Sequence, residues 1–369
     1  MMKWLKHIAF VLLCCSMMHV ADAQQVQFSQ YYSASLHLNP AFAGIYLTPS
    51  FHVGYRRQVS GVQAVGTVQE DRFINDLSQA SLILPVKQKD TYGMPYGGFG
   101  VLVYNNGAGP GGGLKTDGIM VNYAHNFQIG PVRGKETVIV SVQGGLEQRR
   151  LGVEDLRWGS QFNQFLASTR GYDRDRAVLF LDGFSQSPAY PIVNIGAMYY
   201  WNIERNFHTY RYSAFSGFAI NNINQPSTSF LEVDDNGRLD LLFKYHGGFE
   251  FRFRNFDFLP TILGTYENKI FRFNAGGTIA YDLQDTRRFV SSNSGMKIAL
   301  GVWHKWKDSF IFYAGFRSAF LNLGISYDLS TTEFLNNELL DFGPATEITL
   351  QYFVVKKKRK ARTSANPLF

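Results

Sequence analysis

The sequence predicts an all-β protein: a single transmembrane antiparallel β-barrel of about fourteen strands, ±2, preceded by an N-terminal segment that is not strand. Three observations carry this. Apolar and polar residues alternate with period 2 over segments of about ten residues, the length a tilted strand needs to cross a bilayer. The composition is rich in Phe (32) and Tyr (20), with 35 glycines and only 18% charged residues, which suits strands with an aromatic-flanked lipid face. An export signal precedes the body, and both cysteines, Cys14 and Cys15, fall inside it, so no disulfide framework or zinc ribbon is available to the remainder.

The signal comes first. Lys3 and Lys6 form a basic start, Ile8 to Cys15 is an apolar run, and Ala21-Asp22-Ala23 offers a small-x-small cleavage site. Residues 1–23 are therefore expected to be removed after Ala23. Residues 24–50 form a separate N-terminal segment, expected in the periplasm or the lumen. Residues 51–355 form the barrel and 356–369 a basic tail. No stretch reaches the ~18 apolar residues of a spanning helix.

Fourteen strand segments follow, near 51–58, 79–86, 96–105, 117–129, 136–149, 191–202, 210–221, 241–254, 259–267, 270–281, 295–306, 309–317, 319–329 and 345–354. The alternation is plainest from Phe243 to Arg254. There Phe243, Tyr245, Gly247, Phe249, Phe251 and Phe253 oppose Lys244, His246, Gly248, Glu250, Arg252 and Arg254. Ile298, Leu300 and Val302 oppose Lys297, Ala299 and Gly301. Leu323, Ile325 and Tyr327 oppose Asn322, Gly324 and Ser326. An even count returns both termini to one side, the periplasm. The connections after odd-numbered strands are then extracellular, and they include the three longest, 59–78, 150–190 and 222–240.

Charge adds little to function. The net +7 is carried by the ends: Lys356, Lys357, Lys358, Arg359, Lys360 and Arg362 form one basic run, while Gln24 to Val355 balances at 28 basic and 28 acidic residues. A neutral body leaves no basic groove for nucleic acid. Gly107-Ala108-Gly109-Pro110-Gly111-Gly112 has dinucleotide-loop spacing but opens no helix, so it reads as a loop. Asp234-Asp235-Asn236-Gly237 reads as a turn. His52, His125, His246 and His304 lie on different strands, with no serine or carboxylate placed to make a triad. The sequence therefore points to no catalytic set, metal or cofactor.

One stretch is not explained by barrel physics: Val26-Gln27-Phe28-Ser29-Gln30-Tyr31, then Asn39-Pro40-Ala41-Phe42-Ala43-Gly44. Here the chain resembles the PorP/SprF family of the type IX secretion system, whose members open with QFSQY followed by NPAxAG. The likeness continues through Tyr55-Arg56-Arg57-Gln58, Gly97-Gly98-Phe99-Gly100, Tyr123-Ala124, Tyr327-Asp328-Leu329-Ser330 and Glu347-Ile348. Val59 stands where the family usually has Trp. The resemblance implies a non-enzymatic outer-membrane component of a Bacteroidota-type secretion and gliding apparatus. Its implied partners are secreted adhesin cargo with type B C-terminal secretion domains, periplasmic ring components and outer-membrane lipid. The partner-contact candidates on the matching positions are Gln27, Phe28, Ser29, Gln30, Tyr31, Asn39, Pro40, Ala43, Gly44, Tyr55, Arg56 and Gln58, with the basic tail beside them. The alternative is a passive porin, in which Lys244, Arg252, Arg254, Arg272, Lys297 and Lys305 line an anion path.

Overall fold

Strands that alternate in polarity along their whole length cannot bury both faces in one layer; in lipid they close on themselves, which removes every unpaired edge. The computed structural model shows this closure. It describes residues 27–62, 71–86, 95–109, 112–129, 136–152, 186–204, 210–229, 237–253, 255–283, 295–331 and 343–354. The strands are β1 (Ser50–Val62), β2 (Asp71–Val86), β3 (Gly97–Ala108), β4 (Leu114–Ile129), β5 (Glu136–Leu151), β6 (Tyr190–Glu204) and β7 (Tyr210–Asn221). They continue with β8 (Leu242–Phe253), β9 (Phe256–Glu267), β10 (Ile270–Asp282), β11 (Lys297–Lys305), β12 (Ser309–Arg317), β13 (Leu321–Ser330) and β14 (Ala345–Phe353). Each pairs antiparallel with its sequence neighbours, and β1 meets β14 in register from Ser50↔Phe353 to Gln58↔Ala345, so the barrel is closed with fourteen strands.

The alternation fixes which face meets lipid. Val140, Val142, Leu300, Ile325 and Ile348 point outward and are exposed, while Ile139, Gln143, Ala299, Ser326 and Glu347 point inward and are buried. His125 and His304 lie on the outer register and His52 and His246 on the inner one. The two-residue β9–β10 turn places Asn268 and Lys269 at φ 45° and 64°, the left-handed pair that matches strand twist in a tight hairpin. Gly109 and Gly112, at φ 93° and 73°, turn β3 into β4, so the glycine-rich stretch is a hairpin connection.

The strands differ in height. β11, β12 and β14 have nine residues and β13 ten, whereas β2, β4 and β5 have sixteen. Nine residues span about 30 Å along a strand, which at a tilt of about 35° just covers an apolar band about 25 Å tall. The longer strands rise beyond it. Where they do, their outward faces turn polar in one continuous belt. Arg57 pairs with Asp76 at 3.6 Å, the Ser78 hydroxyl donates to the Asn105 carbonyl, Asn105 Nδ2 donates to Asp117 at 2.6 Å, and Arg150 pairs with Asp117.

This belt explains a correction. The segment 59–78, expected as a long loop, is mostly strand, because β1 runs to Val62 and β2 begins at Asp71. β3 to β6 are likewise extended beyond the expected bounds. Above the membrane the outward residues turn mostly polar, the Val59–Ile74 pair excepted, so the period-2 contrast fades from the sequence although the backbone ladder continues. The signal residues, the Asp234–Asn236 turn, Arg254 and the basic tail lie outside the described residues.

Candidate functional site

The lumen is not empty. Residues 27–49 fill its interior before the chain enters β1, running from Gln27 beside Lys244 and Arg272 to Tyr46 beside Phe353. The segment has little secondary structure of its own: one short helix, α1 (Ser35–Leu38), and a 3-10 turn over Pro40–Gly44. A four-residue helix is far below the length that is stable alone, so contacts with the wall hold it. Tyr31, Tyr32, Leu36, Leu38, Phe42, Ile45 and Tyr46 join Ile83, Leu102, Met120, Ile139, Met198, Phe215, Leu263, Trp303 and Phe353 in one core.

The Asn39-Pro40 pair sets the turn. Asn39 is extended, at φ −153° and ψ 124°, its side chain accepts from the Ala41 N–H at 2.9 Å, and Pro40 opens the turn without an N–H to satisfy. The Asn39 amide also donates to the Ala197 and Phe218 carbonyls at 3.2 and 3.3 Å and lies 3.0 Å from His246 Nε2. One fully buried side chain thus ties the plug to β6, β7 and β8. Asn122 donates to the Pro40 carbonyl at 3.0 Å and Asn126 to the Gly44 carbonyl at 2.6 Å.

Glycines let backbone approach backbone. A Cβ on Gly98 would strike the Ala43 carbonyl, and one on Gly196 would strike Asn39 Oδ1. Conversely, a Cβ on Gly44 would meet Asn126 and Ile139. The motif around Gly98 is therefore the wall's half of the fit, and the motif around Gly44 is the plug's.

At the other end of the segment stands a buried ionic cluster. Glu347 on β14 accepts the Ser29 N–H at 2.6 Å and the Gln30 N–H at 3.0 Å. Asp328 on β13 accepts from the Ser29 hydroxyl at 2.5 Å and from Arg56 Nη2 at 3.1 Å, with Lys305 Nζ 3.5 Å away. Thr349 donates to Gln30 Oε1 at 2.5 Å, and Gln30 Nε2 donates to Ser326 at 3.2 Å. Arg56 bonds Gln58, whose amide reaches the Gly343 carbonyl. The Arg56 and Asp328 side chains are each 4% exposed; a buried pair of this kind is held only when further hydrogen bonds satisfy it.

Of the sequence candidates, Phe28, Ser29, Gln30, Tyr31, Asn39, Pro40, Ala43 and Gly44 are buried in the lumen and Gln27 is half-buried. Arg56 and Gln58 face inward from β1. Tyr55, 42% exposed, faces lipid and stands apart from them. Direct contact between a partner and the buried motif residues requires the segment to leave its seat. Glu347, Asp328, Asn122, Asn126, Lys305 and His246 complete the site from the wall. Their signal in the sequence is a charged or amide residue on the inward register, without any local spacing to join them.

Plug residues outside the strands titrate far from their ordinary ranges. Burial, with the Lys244 ammonium adding to it, lowers the His37 imidazole from 6.5 to about 3, so it is neutral. Burial raises the Tyr31 and Tyr46 hydroxyls above their usual range. Tyr31 OH lies 2.9 Å from Thr261 Oγ1, which also accepts from the Trp303 indole.

Of the six inward cations expected to line an anion path, four are engaged, Arg272 borders a lumen cavity and Arg254 lies outside the described residues. Arg252 and Lys297 bond Asp257, Lys305 faces Asp328, and Lys244 donates to the His37 carbonyl at 2.8 Å. Beyond the plug, on the side of the taller strands, lies a cavity of about 460 Å³ with His37 and Lys244 at its floor and Asn106, Gln143, Arg149 and Asn222 in its walls. Among the described residues no group of three His, Cys, Asp or Glu side chains could hold a metal ion.

Several solved outer-membrane proteins are similar at low identity. The toluene transporter TodX of Pseudomonas putida is 11% identical over 89% of this chain and 94% of its own, with a TM-score of 0.46. The monoaromatic hydrocarbon channel CymD is 12% identical over 88% and 94%, with a TM-score of 0.40. OprB of Pseudomonas putida is 9% identical over 83% and 94%, with a TM-score of 0.33. No curated protein matches the chain. The family model described as type IX secretion system membrane protein PorP/SprF matches residues 20–352, which takes in the plug, its seat and all of the strands but Phe353 at the end of β14, and the chain belongs to that family.

Proposed function

We propose that the protein is a non-enzymatic outer-membrane component of the type IX secretion and gliding apparatus that supports export or surface attachment of adhesins with type B C-terminal domains. Family membership supports the system. The observation that favours a protein-handling role over a passive porin is the lumen filled by residues 27–49 and held by paired charges at Arg56, Asp328 and Glu347. In this reading the barrel anchors the assembly, its taller half and outer loops meet cargo, and its periplasmic end meets ring components. The motif residues Gln27–Tyr31 and Asn39–Gly44 act by seating the plug. Residues 1–23 are a leader cleaved after Ala23, and the basic run from Lys356 to Arg362 offers an acidic periplasmic partner a salt-sensitive contact.

Deleting the gene and following a type B adhesin at the cell surface tests the proposal. Display is expected to vanish and to return with the wild-type gene, while other outer-membrane proteins stay at normal abundance. Unchanged display defeats it. Planar-bilayer recordings separate the porin alternative, since a plugged anchor gives little current and a porin gives stable open channels.

A further inference from the structure

The wall grips the plug's main chain at six points. Glu347 accepts two successive backbone N–H groups, and Gln351, Lys244, Asn122 and Asn126 donate to the Ser33, His37, Pro40 and Gly44 carbonyls. Groups that bond the backbone accept many sequences, as in sites that take extended peptides.

The two ends of the plug are held differently. Residues 39–49 bury Phe42, Ile45 and Tyr46 completely and continue directly into β1, so they belong to the core. Residues 29–33, Ser-Gln-Tyr-Tyr-Ser, contain no aliphatic side chain. Their main chain, Ser29 and Gln30 bond polar groups of β13 and β14, namely Ser326, Asp328, Glu347, Thr349 and Gln351, while Tyr31 and Tyr32 reach into the core and bond Thr261 and the Gly247 carbonyl. Free volume adjoins this strap, a cavity of about 40 Å³ reaching Arg317 and Asn322. Those residues flank the β12–β13 turn, at the end of the barrel where β1 begins and β14 finishes. Ser29 and Gln30 stand outside that core, whereas Tyr31 and Tyr32 belong to it, so the leading pair is the part of the plug that polar groups alone hold.

We infer that the cradle formed by Arg56, Ser326, Asp328, Glu347, Thr349 and Gln351 is a binding site for extended polypeptide, and that residues 29–33 are its resident, displaceable occupant, with Tyr31 and Tyr32 as the anchors an exchange must draw from the core. An incoming chain presents the same backbone N–H pair to Glu347 and the same carbonyl to Gln351, so exchange keeps these main-chain bonds, and a chain with two aromatic residues next in order also replaces the Tyr31 and Tyr32 contacts. The inference rests on the secretion reading only for the source of that chain.

The probe is a fluorescein-labelled, amidated peptide of residues 27–38, added to the full-length protein in detergent micelles and followed by anisotropy. Replacing both Ser29→Pro and Gln30→Pro removes the two N–H groups that Glu347 accepts, which empties the cradle and leaves its wall intact. The peptide is expected to bind this variant about tenfold or more tightly than the wild type, because a tethered competitor is gone. Adding Glu347→Gln is expected to abolish the gain. Equal affinity for variant and wild type, or tight binding that ignores Glu347, overturns the inference. Should the proline variant fail to show the gel-mobility shift of a folded barrel, the wild type decides. Excess unlabelled peptide must then speed hydrogen exchange at the Ser29 and Gln30 amides, and unchanged exchange overturns the inference. Adhesin display is scored separately: lost display in the deletion strain with no peptide binding removes the cradle but keeps the secretion role, and peptide binding with unaffected display does the reverse.

Discussion

The barrel has two unequal halves. From β11 to β14 the strands are nine or ten residues long, apolar over nearly all of their outer height, and their inner face carries most of the ionic seat of the plug. From β2 to β6 they run to twelve to sixteen residues, cross a polar belt on the outside and wall the large cavity on the inside. Both halves obey the same pairing rule, yet charge has opposite consequences in them. In the short half it is buried and satisfied by the plug; in the tall half it stands at the surface beyond the membrane. The same residue types therefore do different work according to the medium their strand positions give them.

That contrast can be broken by substitution. The largest effect is expected from Arg56→Ala, which leaves Asp328 and Glu347 buried with their main cationic partner gone, at a cost of about 3–5 kcal/mol. Urea unfolding of the reconstituted barrel reads it, and an effect no larger than that of a surface charge would remove the distinction between the halves. Next comes Leu300→Arg, at an outward position 63% exposed to the bilayer in the middle of β11. A cation there costs about 2–4 kcal/mol, and the yield of heat-modifiable barrel should drop, whereas Asn105→Arg, at the polar belt, should assemble normally. Equal damage from both would place the membrane boundary elsewhere.

Asn39→Ala sharpens the picture of the plug. It strips two carbonyls, His246 and the Ala41 N–H of one shared partner, a loss of about 1–3 kcal/mol, and protease added to the purified barrel should cleave before β1 more readily. The smallest effect belongs to Arg150→Ala on the tall half. Its exposed pairing with Asp117 contributes at most about 1 kcal/mol and fades with salt. A salt-independent loss there would show that the belt is not solvated.

The legibility of these features differs for a physical reason in each case. The strands of the membrane band were readable because lipid on one side and lumen on the other impose opposite polarity on successive residues, as from Phe243 to Phe253. The upper ends of β2, β4 and β5 were not, since water on one side and a wet cavity on the other impose no contrast. The motifs at Gln27–Tyr31 and Asn39–Gly44 stood out as residues without a role in the ladder, which located the plug without describing its seat. Its partners lie far away in sequence: Glu347 is 318 positions from Ser29, and His246 is 207 from Asn39.

By itself, then, the sequence determined the class of fold, the register that sends Leu300 out and Glu347 in, and the even return of the chain to one side, because each depends on local alternation. Only the tertiary structure decided that the space inside is occupied, that Gly98 yields to Ala43 and that Ser29 and Gln30 meet a carboxylate. Closing the barrel brings β1 against β14, and this ring closure creates the buried seat at that seam. No spacing along the chain encodes such a distance.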